Sequence, residues 1–295
     1  MFNHTSAIRG PLFMAVATGS FVVNDTMMKV ATEGLPPLEV LFIRGVGATI
    51  WCLPLLLALG YRRQLPMVFD RWVLLRNVLE LMAVFGFMLG LAKMPIADIT
   101  ALGQITPLIV LVASSILFRE KIGGMRMALI GLGFVGALMV AQPSGTGISV
   151  YALLGLSSAV FCAARDIAGR RIGAEVPGLI VAFCAILVVM AGSGLATLLF
   201  ERWVTPEPQH LLLLGSAGFF LIFGHFFIFM AYRVGPTSAV APFYYGFTVW
   251  AVISGFLVFG QFPNTLAISG IALVVASGLT IVALDEKKRR LAPVA

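Results

Sequence analysis

The chain has 295 residues, of which 60% are apolar and 11% charged, and its mean hydropathy is +1.01. A soluble domain carries about a quarter charged residues, so this composition excludes an ordinary soluble enzyme. The net charge of +7 does not indicate nucleic-acid binding, because the basic residues lie in short loops between apolar stretches, as is typical of membrane proteins.

Apolar stretches that are each long enough to span a membrane follow one another along the whole chain. A membrane helix needs about 20 mostly apolar residues. The first stretch begins near Pro11 and carries Asn24, Asp25 and Lys29 at its far end, which favours a retained first helix over a removable signal peptide. Proline, glycine and charge clusters separate ten predicted spans, at 10–31, 36–59, 72–92, 96–118, 123–141, 149–171, 177–200, 210–233, 236–259 and 262–284.

Lysine and arginine are distributed unequally between the two sides of the predicted membrane. Sixteen lie on the side that holds both termini, three (Lys29, Lys93 and Arg202) lie on the other, and Arg44 lies within a span. Cytoplasmic loops carry an excess of basic residues. We therefore expect a multi-pass protein of the inner (plasma) membrane with both termini, including a basic tail at 285–295, in the cytoplasm.

The two halves of the chain align without a gap at an offset of 141 residues. Prolines and charges coincide in this alignment: Asp25 with Asp166, Lys29 with Arg170, Pro36 with Pro177, and Pro95 with Pro236. Five spans is an odd number, so the second half must enter the membrane upside down. The sequence thus predicts an all-α membrane protein of ten transmembrane helices in two inverted five-helix repeats, 10–141 and 149–284. Such repeats open a midplane site to either side in turn, which indicates transport.

The residues around the fourth and fifth spans form a pattern that recurs in the second half. Pro95 opens the fourth span, Pro107 lies at its middle, and Phe118-Arg119-Glu120 precedes a glycine-rich fifth span. The second half has Pro236-Thr237-Ser238-Ala239-Val240-Ala241, then Thr248 in place of the proline and Gly260-Gln261 in place of the usual Gly-Glu. Over essentially its whole length the chain resembles the drug/metabolite transporter superfamily, EamA type, and within it the bacterial exporters of aromatic amino acids.

The resemblance implies a secondary transporter, not an enzyme, that exports amino acids or similar small metabolites by alternating access. It also implies a cavity between the first, third, fourth, sixth, eighth and ninth spans. We expect no cofactor or metal, because the three cysteines lie in apolar stretches without metal-ligand spacing. The expected partners are a small-molecule metabolite and the lipid bilayer, with no nucleic acid. Whether transport is coupled to protons, and whether the protein is a monomer or a homodimer, are left open.

Ionisable side chains inside the predicted spans are candidates for function, because the bilayer makes them costly. Glu80 in the third span has two interpretations: an ion pair with Arg76 at i, i+4, or a carboxylate that binds a substrate amine or a coupled proton. Asp25 and Asp166 each lie four residues before a cation, which favours ion pairing at helix ends.

Arg44 in the second span also has two interpretations. Glu39 and Asp98 lie on the same outer side, and the first interpretation is an ion pair with one of these carboxylates. The second is a bound anion such as a substrate carboxylate.

Polar side chains far from either membrane surface predict a substrate site. Gln104 and Tyr245 are equivalent at the offset of 141 and lie near the midplane, beside Tyr244. Hydrogen bonds between helices, worth about 0.6–2 kcal/mol each, and ordinary packing are the alternatives. The predicted substrate-binding residues are Gln104, Tyr244, Tyr245, Glu80, His225, Phe85 and Phe243.

Other functions are weighed against transport. The GxGxxG motif at 131–136 fits a dinucleotide fingerprint, but it lies mid-span, where small residues permit close helix packing. The sequence has no phosphate-binding GxxxxGK[ST] loop, so ATP hydrolysis is not expected. An intramembrane enzyme using Glu80 and His225, and a lipid scramblase or structural membrane subunit, are the alternative functions.

The distribution of basic residues gives a topological prediction. With the native cysteines replaced, single cysteines in the 202–209 loop should react with an impermeant maleimide in intact cells, and cysteines at positions 64 and 292 should not. Permeabilised cells serve as the control, because all these positions should then react. Labelling of position 64 in intact cells contradicts the orientation.

Overall fold

A computed structural model describes residues 4–118, 123–142, 148–234 and 240–291. Sequence predictions that rest on 119–122, 143–147, 235–239 and 292–295 lie outside the described residues. The described residues form α1 (His4–Ala31), α2 (Pro37–Ala58), a 3-10 segment (Tyr61–Phe69), α3 (Arg71–Leu91), α4 (Ile96–Gly103), α5 (Thr106–Phe118), α6 (Gly124–Ala141), α7 (Val150–Gly169), α8 (Gly178–Phe200), α9 (Pro208–Val234), a 3-10 turn (Ala241–Tyr245), α10 (Gly246–Phe259) and α11 (Thr265–Leu291).

Nine stretches in the described part of the chain are long and apolar enough to cross a membrane. Helices α4 and α5 together supply one of them, and the second 3-10 turn with α10 supplies another. Helix α1 is not among the nine, but its 28 residues reach about 42 Å at 1.5 Å per residue, which is enough to span a membrane. The predicted all-α membrane protein is confirmed, with α1 as the tenth predicted span.

Helix starts coincide with the residues that separate the predicted spans. The Asp70 carboxylate accepts hydrogen bonds from the backbone N–H groups of Trp72 and Val73 at 2.9 and 3.1 Å, which caps α3. The Ser149 hydroxyl accepts a bond from the Tyr151 N–H at 3.2 Å at the start of α7. Pro95 and Pro177 precede α4 and α8, where a proline needs no helical donor.

The fourth predicted span is broken at the middle instead of continuous. Helix α4 ends at Gly103, and α5 begins at Thr106. Pro107 has no N–H to donate to the carbonyl of Gly103, four residues earlier, and the Thr106 hydroxyl donates to that carbonyl instead, at 2.7 Å. The ninth span has its 3-10 turn, with Pro242, at the equivalent place.

The long helices pack in pairs drawn from the two halves. Helix α1 lies against α9, α3 against α7, α2 against α8, and α6 against α11. Exchanging equivalent spans of the two halves converts the α1–α9 pair into the α3–α7 pair and leaves the other two pairs unchanged. Two equivalent halves require this pattern of contacts. The inverted relation between them stays a prediction.

Two glycines permit the close approach of α6 and α11. A Cβ atom on Gly136 would lie 2.7 Å from the carbonyl oxygen of Gly270, and one on Gly270 would lie 2.5 Å from the oxygen of Gly136. Gly131, on the same helix, has no atom within 4 Å of such a Cβ. The contacts made by Gly136 fit the packing interpretation of the GxGxxG motif, because no space for a nucleotide exists there.

The contact between Gly136 and Gly270 can be tested with two matched substitutions on α6. Gly136→Leu should lower the thermal stability in detergent by the equivalent of about 1–3 kcal/mol, because the side chain must displace backbone of α11. Gly131→Leu adds the same side chain to the same helix and should leave stability unchanged. Thermal unfolding followed by size-exclusion chromatography measures both variants. Equal melting temperatures would show that the α6–α11 contact is not close-packed.

Candidate functional site

A cavity of about 510 Å³ lies at the centre of the helical bundle. This volume falls within the range of small-molecule sites, about 300–1,000 Å³. Its walls come from α1, α2, α3, α7, α8, α9, and the 3-10 turn and first residues of α10. The lining residues are Phe21, Asn24, Asp25, Met28, Arg44, Gly45, Arg76, Glu80, Val84, Phe87, Arg165, Asp166, Ala182, Ala185, Ile186, Val189, Leu221, His225, Ile228, Tyr244 and Phe247.

An ion-pair network ties α3 to α7 on one side of this cavity. The Glu80 carboxylate accepts a hydrogen bond from Nη1 of Arg165 at 2.8 Å and lies 3.2 Å from Nη2 of Arg76. Arg165 also lies 2.8 Å from a carboxylate oxygen of Asp166. The predicted Arg76–Glu80 pair is therefore present, because residues four apart share one helix face. Arg165 is a second partner that comes from the other half of the chain.

The Asp25 and Asp166 carboxylates do not pair with the cations four residues later, so that interpretation is wrong. Lys29 donates to the carbonyl oxygens of Leu91 and Met94, each at 2.6 Å. Leu91 is the last residue of α3 and Met94 lies just after it, where no helical N–H reaches either carbonyl. Asp166 pairs with the adjacent Arg165 instead of Arg170.

Arg44 has no carboxylate partner in the described part of the chain, so the predicted pair with Glu39 or Asp98 is also wrong. Glu39 accepts a hydrogen bond from the backbone N–H of Val204 at 3.0 Å. The Glu201 carboxylate accepts from the N–H groups of Leu38 and Glu39 at 3.1 and 3.2 Å. These bonds hold the start of α2 against the 201–207 loop, and they leave Arg44 facing the cavity.

The two ends of the cavity differ in exposure. Asn24 and Arg44, at one end, are 2% and 6% exposed. The Asp166 side chain, at the other end, is 44% exposed. The cavity wall is therefore more exposed at Asp166, beside the end of α7, than at Asn24 and Arg44.

Aromatic rings form an apolar wall next to the charged groups. Phe21 lies edge-on to His225, with centroids 5.0 Å apart, and stacks with Phe247 at 5.6 Å. Tyr244 meets the same Phe247 ring at 5.2 Å. The Nδ1 atom of His225 is 2.8 Å from the Leu221 carbonyl oxygen, so Nδ1–H donates there and the neutral ring has an acceptor at Nε2.

Many lining residues are equivalent at the sequence offset of 141. Fourteen of the 21 fall into seven pairs, one member from each half of the chain. This regularity is expected if two equivalent halves enclose the cavity. The pairs are Asn24/Arg165, Asp25/Asp166, Arg44/Ala185, Gly45/Ile186, Glu80/Leu221, Val84/His225 and Phe87/Ile228.

The structure brings together three of the seven predicted substrate-binding residues: Glu80, His225 and Tyr244 line the cavity. Gln104 is buried where α4 ends, and its Oε1 has no hydrogen-bond partner among the described residues. Tyr245 packs where Gly278 of α11 leaves room for its hydroxyl.

The two predicted aromatic surfaces also lie apart from the cavity lining. Phe85 packs against the hydrophobic cluster around α2 and α3, and Phe243 is 46% exposed. A role for these two residues, or for Gln104 and Tyr245, in binding stays a prediction.

Sequence reasoning gave other roles to Asp25 and Asp166 and left out Phe21 and Arg165 as site residues. A usable signal was present, because Phe21, Asp25 and Met28 follow one another at i, i+4 and i+7 on α1. The offset of 141 then carries Asp25 to Asp166, across the cavity. The helical spacing on α1 and the offset of 141 together indicate a cavity between Asp25 and Asp166.

The Glu80 network predicts a loss of stability when its one shared carboxylate is removed. Glu80→Gln leaves the charges of Arg76 and Arg165 facing each other, in side chains that are 21% and 19% exposed. We expect the free energy of unfolding to fall by about 3 kcal/mol, the lower end of the range for breaking a buried ion pair. Unfolding in mixed dodecyl sulfate micelles measures the change. The control is Glu175→Gln in the exposed loop before α8, and an equal effect of both variants would contradict the network.

Comparison with known proteins agrees with this architecture. Residues 8–142 match the model of the EamA-like transporter family. A riboflavin transporter of Vibrio cholerae is 29% identical over 288 residues, covering 96% of each chain. The pseudopaline exporter CntI of Pseudomonas aeruginosa is 28% identical, covering 95% of this chain and 97% of that protein. An S-adenosylmethionine uptake transporter of Rickettsia prowazekii is 25% identical, covering 90% and 89%.

The fold also matches a solved structure. One crystal structure superposes with a TM-score of 0.64 at 20% identity, covering 98% of this chain and 99% of that one. The matches to named proteins run over nearly the full length and are to bacterial transporters, not to enzymes. Together with the nine apolar spans, they make this a multi-pass small-molecule transporter in a lipid membrane. The first half of the chain, residues 8–142, thus matches the EamA-like transporter family, and over nearly its full length the chain is similar to bacterial small-molecule transporters.

Proposed function

We propose that this protein exports an amino acid, or a similar small zwitterionic metabolite, across the inner membrane by alternating access. The observation that carries the proposal is the composition of the cavity wall: three arginines, three carboxylates and a group of aromatic rings enclose about 510 Å³. A zwitterion in a low-dielectric site needs fixed partners for both of its charges, and this wall supplies both signs.

The aromatic wall favours a substrate with a flat apolar portion. Phe21 lies within ring-contact distance of both Phe247 and His225, and all three rings line the cavity together with Asp25. Aromatic groups gain from edge-on and offset contacts with such rings. An aromatic amino acid combines this portion with two opposite charges.

The seven equivalent pairs of lining residues support alternating access. If the two halves are inverted repeats, 10–141 and 149–284, exchanging their conformations closes the more exposed end of the cavity and opens the other. In the orientation that the basic residues indicate, the more exposed end by Asp166 faces the cytoplasm. This state is the one that loads an exported substrate.

Counterflow into proteoliposomes tests the function. Vesicles loaded with unlabelled L-phenylalanine should accumulate labelled L-phenylalanine, L-tyrosine and L-tryptophan above protein-free vesicles. Riboflavin and S-adenosylmethionine, named for two of the relatives, are included as competing solutes. Accumulation of either of these without any amino acid would contradict the proposal. Export is checked separately by uptake into inside-out membrane vesicles.

One side chain gives a sharper version of the same test. Tyr244→Phe removes a single hydroxyl from the cavity wall, and one neutral hydrogen bond is worth about 0.5–1.5 kcal/mol. The half-saturation concentration for L-phenylalanine should therefore rise by roughly two- to twelvefold. Tyr232→Phe on the exposed part of α9 is the control. Identical kinetics for both variants would remove the Tyr244 hydroxyl from the substrate site.

A further inference from the structure

Arg44 is a buried cation whose side-chain donors have no partner among the residues that the structure describes. It lies two turns into α2, is 6% exposed and lines the cavity. Among the described residues it forms no ion pair within 4.0 Å, and its Nε has no hydrogen-bond acceptor. An arginine side chain keeps its charge at any physiological pH, so burial without a partner is unfavourable.

The other cavity arginines differ from Arg44 in this respect. Arg76 and Arg165 both lie within ion-pair distance of Glu80, and Arg165 also pairs with Asp166. Their charges are neutralised within the protein, as is that of Glu80. The predicted role of Glu80 as the carboxylate for a substrate amine is therefore less favoured than its role in holding α3 to α7.

Asp25 lines the same cavity as Arg44, and its carboxylate also lacks an ion-pair partner among the described residues. Its Oδ1 accepts a hydrogen bond from the Asn24 amide at 2.8 Å, and within the described ranges it forms no ion pair. The charges of Asp25 and Glu80 act on Arg44 through space from beyond ion-pair distance. Among the described residues, the cavity wall thus carries an arginine and a carboxylate that are not ion-paired with each other or with another side chain.

The backbone holds Arg44 firmly in this position. A Cβ on the next residue, Gly45, would lie 2.7 Å from Cβ of Met190, so α2 is in close contact with α8 at this point. Phe21 lies one turn before Asp25 on α1 and begins the aromatic wall. The two opposite charges are therefore set on α1 and α2, and the apolar surface begins on α1 beside Asp25.

We propose that Arg44 and Asp25 form the head-group site of the transported molecule, with Arg44 binding a substrate carboxylate and Asp25 binding a substrate ammonium group. The guanidinium fork fits the two oxygens of a carboxylate, and the Asp25 carboxylate accepts from an ammonium. The aromatic wall beside Phe21 then contacts the rest of the molecule. This assignment rests on the proposed function, since it requires a substrate with both charges.

Three probes separate the two charges. 3-Phenylpropionate carries only the carboxylate, phenethylamine carries only the ammonium, and L-phenylalanine carries both. Their binding to the purified protein in detergent is measured by isothermal titration calorimetry. Arg44→Gln should weaken 3-phenylpropionate and L-phenylalanine by about tenfold or more and leave phenethylamine within about twofold.

Asp25→Asn should give the opposite result, with weaker phenethylamine and unchanged 3-phenylpropionate. Arg63→Gln, which removes an exposed arginine from the loop after α2, is the matched control and should change none of the three. Arg44→Lys keeps the charge without the fork, and it should show an intermediate loss for the carboxylate probes even if Arg44→Gln fails to fold.

The outcomes distinguish this site from the proposed function. If 3-phenylpropionate binds through Arg44 but L-phenylalanine is not carried in counterflow, the anion site stands and the proposed substrate is wrong. If L-phenylalanine is carried and Arg44→Gln or Arg44→Lys weakens all three probes equally, or none, the head-group assignment is overturned. Absence of 3-phenylpropionate binding to the unsubstituted protein also overturns it.

Discussion

The structure depends on the fact that lipid offers no partner to a charge or to a backbone polar group. Within the described residues the spans are therefore helical, and at the break after Gly103 the Thr106 hydroxyl replaces the missing donor. The same constraint turns charged side chains inward. Glu80, Arg76 and Arg165 neutralise one another there, and the ion pairs join a helix of the first half to a helix of the second.

The two halves supply equivalent positions to the cavity but not equivalent chemistry. Asn24 corresponds to Arg165, Arg44 to Ala185, and Glu80 to Leu221. At the end beside α7 the protein satisfies its own charges, whereas at the end beside α2 a cation and a carboxylate are left for other partners. Similar packing of the halves gives the cavity its shape. The differences between paired residues give it a polarity that a substrate of defined orientation needs.

Helix packing and the cavity lining can vary independently, which bears on how similar transporters carry different molecules. The relatives share 25–29% of their residues with this chain over nearly its full length, and their names refer to riboflavin, pseudopaline and S-adenosylmethionine. Glycine contacts such as that of Gly136 with Gly270 set the distance between helices and leave the lining free to vary. In the proposed function, substrate preference then depends on the few side chains that face the cavity.

The amino-acid sequence alone determined the membrane class, through the length of its apolar stretches. It also determined the limits of most helices, because proline, glycine and charged residues separate these stretches. Both properties depend on local composition. The Arg76–Glu80 pair was also predictable, since one helix turn places the two together. The partners of Lys29, Asp25 and Arg44 were not. Local spacing suggested a charged partner for each, either four residues away or on the same side of the membrane. Helix packing instead brought the carbonyls of Leu91 and Met94 to Lys29 and left Arg44 facing the cavity. Tertiary structure decided these contacts, because a side chain in a bundle bonds to whichever group another helix presents, and that group is set by packing between halves about 141 residues apart in sequence.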